Sequence, residues 1–87
     1  MRATINAKRI TDKASLHALL GQKLNLPADC GKNLDAVFDL LTEPGRDRII
    51  TVKHEALLRE RLGDYADRFL QMLEDAAQSG HVQLLRK

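Results

Sequence analysis

One segment near the middle of this 87-residue chain constrains its fold more than any other. Residues 49–52, Ile-Ile-Thr-Val, are all β-branched, and such a run predicts a strand buried on both faces. Helical patterns lie on both sides of it, and shorter strand-like segments occupy residues 2–6 and 81–86. Strands joined by helical crossovers pair in parallel, and right-handed crossovers place the helices on one face. The sequence therefore predicts a two-layer α/β fold, a parallel sheet with about four helices on one face.

Capping and stop residues divide the helical patterns. Thr11 or Asp12 fits the cap of a first helix, which we expect Pro27 to stop. Asn33 fits the cap of a second helix, which the residues Glu-Pro-Gly at 43–45 would end. The other expected features are a turn at 28–32 around Gly31, a helix at 55–62 closed by Gly63, and a last long helix closed by Gly80.

Length and composition exclude several classes of protein. With 44% hydrophobic and 30% charged residues, we expect one folded domain spanning residues 1–87. No apolar run approaches the ~20 residues that span a membrane, and the opening residues lack the apolar stretch of a signal peptide. Cys30 is the sole cysteine, which excludes an internal disulfide. The single cysteine suits a reducing compartment, so we expect a cytoplasmic protein. We also expect that it is not an enzyme and uses no cofactor, because no catalytic or metal-ligand spacing is present.

The acidic charge is concentrated in one segment. Between Asp29 and Glu43 four carboxylates face one lysine, a net −3, while the rest of the chain carries +5. On the helix predicted from Asn33, Asp35 and Asp39 are four residues apart and point away from the apolar stripe of Leu34, Val37, Phe38 and Leu41. An acidic surface on a mildly basic protein suggests a cationic partner. Charge alone, however, favours an ordinary solvated helix face.

A second interpretation starts from the basic residues. The cations after the acidic segment could bind nucleic acid in a strongly salt-dependent way, or they could form an ordinary salt-bridged surface with Glu55 and Glu60. They are Arg46, Arg48, Lys53, Arg59 and Arg61.

A family resemblance adds to these patterns. Leu-Pro at 26–27 followed by Gly-Lys-Asn-Leu-Asp-Ala-Val-Phe-Asp-Leu-Leu-Thr at 31–42 resembles the signature of the barstar family, intracellular inhibitors of barnase-type ribonucleases. The opening strand, the Leu-His pair at 16–17 and residues 69–80 are similarly placed, so the resemblance covers nearly the whole chain. It implies a three-stranded parallel sheet and a one-to-one complex with a small basic extracellular-type ribonuclease. The chain would be a bacterial immunity protein of the toxin–antitoxin kind, a monomer when free, with no direct contact to nucleic acid or membrane.

The resemblance also assigns roles to residues of the second helix and the loop before it. Asp39 would meet the catalytic Arg and His groups of the ribonuclease, with its carboxylate in the place of a substrate phosphate. Asp35 would bind a neighbouring basic residue or backbone N–H groups. The other residues expected in the interface are Asp29, Gly31, Asn33, Phe38, Thr42, Glu43 and Asp75.

Other roles stay open for several of these residues. Phe38 fits core packing as well as contact, Asn33 fits a helix cap, and Asp75 fits an ordinary exposed carboxylate. The family usually has aromatic residues before the loop glycine and Gly-Trp after the threonine, where this chain has Asp29-Cys30 and Glu43-Pro44. That difference motivates an alternative function, a barstar-like adaptor that binds another cationic protein and has no ribonuclease target.

Overall fold

A computed structural model describes residues 2–25, 33–45 and 47–87. Within them, a pair of α-helices follows each of the first two strands, in the predicted order. A short 3-10 helix that the sequence did not predict follows the first strand. In chain order the elements are β1 (Arg2–Asn6), the 3-10 helix (Ala7–Arg9), α1 (Lys13–Leu24), α2 (Leu34–Leu41), β2 (Arg48–Lys53), α3 (Glu55–Leu62), α4 (Asp64–Gln78) and β3 (Val82–Arg86).

The three strands form one parallel sheet in the order β1-β2-β3. Its register aligns Thr4 with Thr51, and Thr51 with Leu85. Both crossovers advance across the sheet in the same direction, so right-handed connections place all the helices on the same face. The predicted two-layer α/β fold with a parallel sheet is confirmed.

The central strand is buried on one face only. Ile50 and Val52 are fully buried against the helices, whereas Ile49 and Thr51 on the opposite face are half-buried. The expectation that residues 49–52 are buried on both faces is therefore wrong. Its physical reason is the two-layer arrangement itself, because the helices cover one side of the sheet and leave the other facing solvent.

The first helix begins with a reciprocal cap. The Ser15 backbone N–H donates to the Asp12 carboxylate at 2.8 Å, and the Asp12 N–H donates to the Ser15 hydroxyl at 3.0 Å. Asp12 is thus the cap, and these hydrogen bonds hold the pKa of its carboxyl below the usual range. The helix ends with Asn25 in the left-handed conformation, at a φ of 54°. The stop expected at Pro27 and the turn expected at 28–32 lie outside the described residues.

Two arginines connect elements that are far apart in the sequence. The Nη1 atom of Arg61 donates to the carbonyl oxygens of Ala7, Lys8 and Ile10 at 2.9–3.1 Å, which fastens α3 to the 3-10 helix. Arg86, at the end of β3, donates to the carboxylates of Glu55 and Glu74. The predicted end of α3 is confirmed by Gly63 at a φ of 58°, and Gly80, at 89°, follows the end of α4 as expected.

Candidate protein-binding surface

The helix that carries the acidic pair begins at the residue the sequence predicts. The Asn33 side-chain oxygen accepts the Ala36 backbone N–H at 2.8 Å, and Asn33 itself is extended, with a φ of −147°. An N-cap of this kind stabilises a helix by about 1 kcal/mol. It fixes the start of α2, and it places Asp35 in the first turn, where the helix dipole favours a carboxylate.

The two faces of α2 separate apolar from acidic side chains. Val37 and Leu41 are fully buried, and Phe38 is half-buried against the core. Asp35 and Asp39 are exposed, and the carboxylate of neither makes a hydrogen bond or ion pair to any described residue. Like charges four residues apart destabilise a helix by about 0.2–0.5 kcal/mol. The fold therefore holds two carboxylates side by side in solvent at a small cost in stability.

The C-terminal end of α2 is held by hydrogen bonds from within the chain. The Thr42 hydroxyl donates to the carbonyl oxygens of Phe38 at 3.0 Å and Asp39 at 3.3 Å. Arg48, which is only 6% exposed, donates from Nη1 to the Leu40 carbonyl at 2.9 Å. A cation at this position also complements the negative end of the helix dipole. Glu43 follows the helix as an exposed residue.

A groove runs between α2 and α4 and brings part of the predicted set together. Asn33, Asp35, Phe38 and Asp75 all line it. Asp75 accepts the side-chain amide of Gln71 at 3.0 Å. Asp39, Thr42 and Glu43 lie on the same helix or directly after it but are not among the residues lining the groove. Asp29 and Gly31, with Cys30 between them, lie outside the described residues.

Apart from Asp75, the sequence patterns did not indicate the residues of α4 that form the other wall of the groove. Tyr65, Arg68 and Met72 line it, and burial raises the pKa of the Tyr65 hydroxyl. The Tyr65 hydroxyl is hydrogen-bonded to Nε2 of His17 on α1. Tyr65, Arg68 and Met72 follow a helical spacing on α4, but only the packing of α4 beside α2 shows that their side of the helix lines the groove.

The basic residues considered for nucleic-acid binding are largely engaged within the protein. Arg48 is buried, Arg61 donates to three carbonyl oxygens, and Arg59 pairs with Asp67 at 3.1 Å and Glu55 at 3.7 Å. Lys53 is exposed at the end of β2, and Arg46 is outside the described residues. The salt-bridged surface expected with Glu55 is confirmed for Arg59, and three of the four described residues of this basic set are engaged within the protein.

The histidines lie apart on different elements. His17 contacts Tyr65, His81 approaches Asp47 with 3.2 Å between Nδ1 and Oδ1, and His54 precedes α3 in the left-handed conformation. Across residues 2–25, 33–45 and 47–87, no group of three or more His, Cys, Asp or Glu side chains is arranged to hold a metal ion. Over the same residues, no helix has both the length and the apolar character needed to cross a membrane.

Fold and surface together define a small two-layer α/β protein whose candidate site is an acidic helix surface. The family described as barstar, the barnase inhibitor, matches this chain over residues 1–85. The chain therefore belongs to the barstar family. No individual curated protein matches it significantly.

Proposed function

We propose that this chain is an inhibitor of a small basic ribonuclease. The observation that carries the proposal is the pair Asp35 and Asp39, exposed, without partners among the described residues, and carried on a helix that the core and its caps hold in place. Membership of a family described as a barnase inhibitor supports the same function. As an immunity-type protein it would act in the cytoplasm of a bacterium, as a monomer when free and in a one-to-one complex when bound.

The chemistry of the proposed contact follows from the charge of the target. A ribonuclease binds RNA through cationic groups that recognise phosphate. A carboxylate accepts the same charge-assisted hydrogen bonds from Arg, often as a bidentate pair. Asp39 would occupy the substrate phosphate site, and Asp35 would bind a neighbouring cation or backbone N–H groups. The helix that carries both carboxylates is held by its caps and by the core, so its backbone needs no reordering on binding, which lowers the entropy cost of association.

Other predicted residues would support this contact. Thr42 and Asn33 fix the two ends of α2 through their hydrogen bonds, so their contribution would come mainly through the position of the helix. Glu43, Asp75 and Phe38 would lie at its margin, and Asp29 and Gly31 would contribute from the preceding loop. The acidic surface would also speed encounter with a basic enzyme, in a salt-dependent way.

An inhibition assay tests the proposal. Cleavage of RNA by a barnase-type ribonuclease is measured with increasing amounts of the chain, the Asp39→Asn variant and the Glu60→Gln variant. Glu60 is an exposed carboxylate on α3, so its variant loses the same charge at a position outside the acidic face of α2. We expect inhibition by the chain and by Glu60→Gln, and inhibition weakened at least about 30-fold in Asp39→Asn, the lower range for breaking a buried charge pair. Equal inhibition by all three would contradict the proposed contact.

The adaptor function remains the second candidate, and it uses the same acidic surface. Its support is the sequence difference at Asp29-Cys30 and Glu43-Pro44, where the family usually has aromatic residues and glycine. Capture from a lysate of the source cell, with the Asp39→Asn variant as control, discriminates the two. Recovery of a ribonuclease by the wild type alone supports inhibition, and recovery of a different basic protein supports the adaptor.

A further inference from the structure

The carboxyl ends of the three parallel strands meet at one edge of the sheet, and cations stand at each of them. Lys53 is the last residue of β2, Lys87 follows β3, and Lys8 and Arg9 follow β1 on the 3-10 helix. All four are exposed, and none of their side chains makes a hydrogen bond or ion pair to a described residue. We call these four residues the basic edge.

The register of the sheet brings cations of the basic edge close together. Asn6 is paired with Lys53, and the Lys87 backbone N–H donates to the Val52 carbonyl at 2.9 Å, so Lys87 continues the ladder beside Lys53. Adjacent strands lie about 4.8 Å apart. Like charges on neighbouring strands repel each other and lower stability. The fold therefore holds these cations together at a cost.

The strands themselves carry no opposite charge. No Asp or Glu lies on any of the three described strands. Glu55 and Glu74 approach the end of β3, but both are bonded to Arg86, a cation additional to the basic edge.

The remaining neighbours leave the edge positive. Arg61 donates to carbonyl oxygens of the 3-10 helix and offsets Asp12, the cap of α1. With these groups, Glu55, Glu74, Arg86 and the main-chain carboxylate of Lys87 all counted, a positive charge of two remains on the edge. It stays positive when the exposed Glu60 of α3 is added.

The acidic surface lies toward the opposite end of the sheet. Arg48, the first residue of β2, donates to the Leu40 carbonyl at 2.9 Å, which holds the C-terminal end of α2 beside the amino ends of the strands. Asp39 and Glu43 are near that end of the helix. The chain thus separates its charges, and a partner at the basic edge would leave the acidic end of α2 uncovered.

The side chains at the basic edge are suited to phosphate groups. Lys and Arg, together with hydroxyl and amide side chains, make many of the protein contacts to nucleic-acid phosphates. Thr4, Thr51 and Asn6 lie beside the cations on the open face of the sheet. The three aromatic residues of the chain are on α2 and α4, so the edge has no ring on which a base could stack.

Other anionic partners fit the basic edge less well. A lipid surface binds exposed apolar groups as well as cations, and Leu85 is the one exposed large hydrophobic side chain among the described residues. Protein interfaces usually depend on a few aromatic or arginine anchors, and Arg9 is the only such residue of the edge.

We propose that the basic edge binds the phosphate backbone of a nucleic acid without recognising its bases. The cations at successive strand ends form a track on which neighbouring phosphates each meet a positive charge. The family resemblance implied no direct contact to nucleic acid. The basic residues considered for such contact from the sequence were a different set, of which Lys53 alone belongs to the basic edge.

The first test measures the binding of a fluorescein-labelled oligouridylate by fluorescence anisotropy. We expect saturable binding by the wild type, steeply weakened by salt, and equal binding of an oligoadenylate of the same length. Lys53→Gln should bind at least about fivefold more weakly at about 20 mM salt, with a salt slope lower by about 0.7, the share of one phosphate contact.

Lys23→Gln is the matched control. It loses the same charge in the last turn of α1, at the far end of that helix from the 3-10 helix. Its affinity should stay within about twofold of the wild type. No binding by the wild type, equal losses in the two variants, or a preference for one base of more than about tenfold would overturn the proposal.

Polyglutamate and phosphatidylserine vesicles are the comparison anions in the same assay. We expect both to bind more weakly than the oligonucleotide. Tighter binding of either one would assign the basic edge to a protein or a membrane and would overturn the proposal.

A second measurement needs no substitution. The oligouridylate is titrated into the ¹⁵N-labelled wild-type chain and followed by NMR. We expect saturable shifts at the amides of the basic edge and none at Asp35 and Asp39, whereas shifts concentrated on α2 would contradict the assignment. Neither measurement uses a ribonuclease, so this proposal and the proposed function stand or fail separately.

Discussion

Asp39 is a residue at which stability and the proposed function require opposite charges. It lies four residues after Asp35 and two before the last residue of α2, and both carboxylates are exposed without described partners. In Asp39→Lys a repulsive pair becomes an attractive one with the acid N-terminal, the favourable orientation. Each change contributes about 0.2–0.5 kcal/mol. A cation in the last turn adds about 0.3–1 kcal/mol from the helix dipole.

These contributions predict that Asp39→Lys raises the free energy of unfolding by about 1 kcal/mol. For a chain of this size that corresponds to a rise of about 4–8 °C in Tm. The assay is urea unfolding at low salt, with thermal unfolding as a second measure. Binding to the cationic target should be lost in the same variant, so that stability and function change in opposite directions.

Asp35→Lys is the matched control. It also removes the repulsion, but it places a cation in the first turn, where the dipole favours the carboxylate. We expect its unfolding free energy to be unchanged or lower. If Asp39→Lys is less stable than wild type, Asp39 has a structural role, and if both lysine variants are stabilised equally, the dipole makes no contribution; either result refutes the reasoning.

Three further predictions concern the framework that holds α2 and the sheet. Arg61→Met should lower the unfolding free energy by about 2 kcal/mol, because a charged donor to three carbonyl oxygens is lost. The control Arg59→Met breaks only ion pairs near the surface and should lower it by at most about 1 kcal/mol. Equal losses of the two variants in urea unfolding would contradict this prediction. The hydrogen bond from Arg86 lowers the pKa of Glu55 from its usual 4.5, so its contribution is fully present above about pH 4.5 and is lost as pH falls through the lower folded-state pKa. Glu55→Gln should therefore lose less stability than wild type between about pH 6 and about pH 3, and parallel pH profiles would refute the assignment. Asn33→Ala should lower stability by about 1 kcal/mol, and Asn33→Ser should retain most of it; an alanine variant as stable as wild type would show that the cap contributes nothing.

Much of the fold was predictable because its local signals agree with its packing. The β-branched run at 49–52, the cap at Asn33 and the glycines at 63 and 80 each act through nearest neighbours. The parallel order then follows from crossover geometry. The burial of the central strand was mispredicted because a β-branched run does not distinguish a strand covered on both faces from one covered on one face.

The long-range contacts were not predictable from local patterns. The sequence presented Arg48 and Arg61 only as cations of a basic or salt-bridged surface. In the structure their guanidinium groups donate to carbonyl oxygens at the end of α2 and in the 3-10 helix, across gaps of 8 and more than 50 residues. His54 takes the left-handed conformation before α3, which a sequence position alone does not indicate for a non-glycine residue.

One part of the candidate site was predictable from local sequence patterns and another part was not. The outward direction of Asp35 and Asp39 was predictable from helical periodicity, because the apolar stripe of α2 fixes which side faces the core. The groove was not, since it depends on how α4 packs against α2 and brings Asp75 to the same side as Asp35.

A calorimetric titration of the chain into a barnase-type ribonuclease at low salt tests the central claim most directly. Asp39→Ala and Glu60→Gln are titrated alongside. The account predicts a one-to-one isotherm for the wild type and for Glu60→Gln, and binding weakened by at least about 2 kcal/mol in Asp39→Ala. An Asp39→Ala isotherm that matches the wild type, or no heat from the wild type at all, would contradict it.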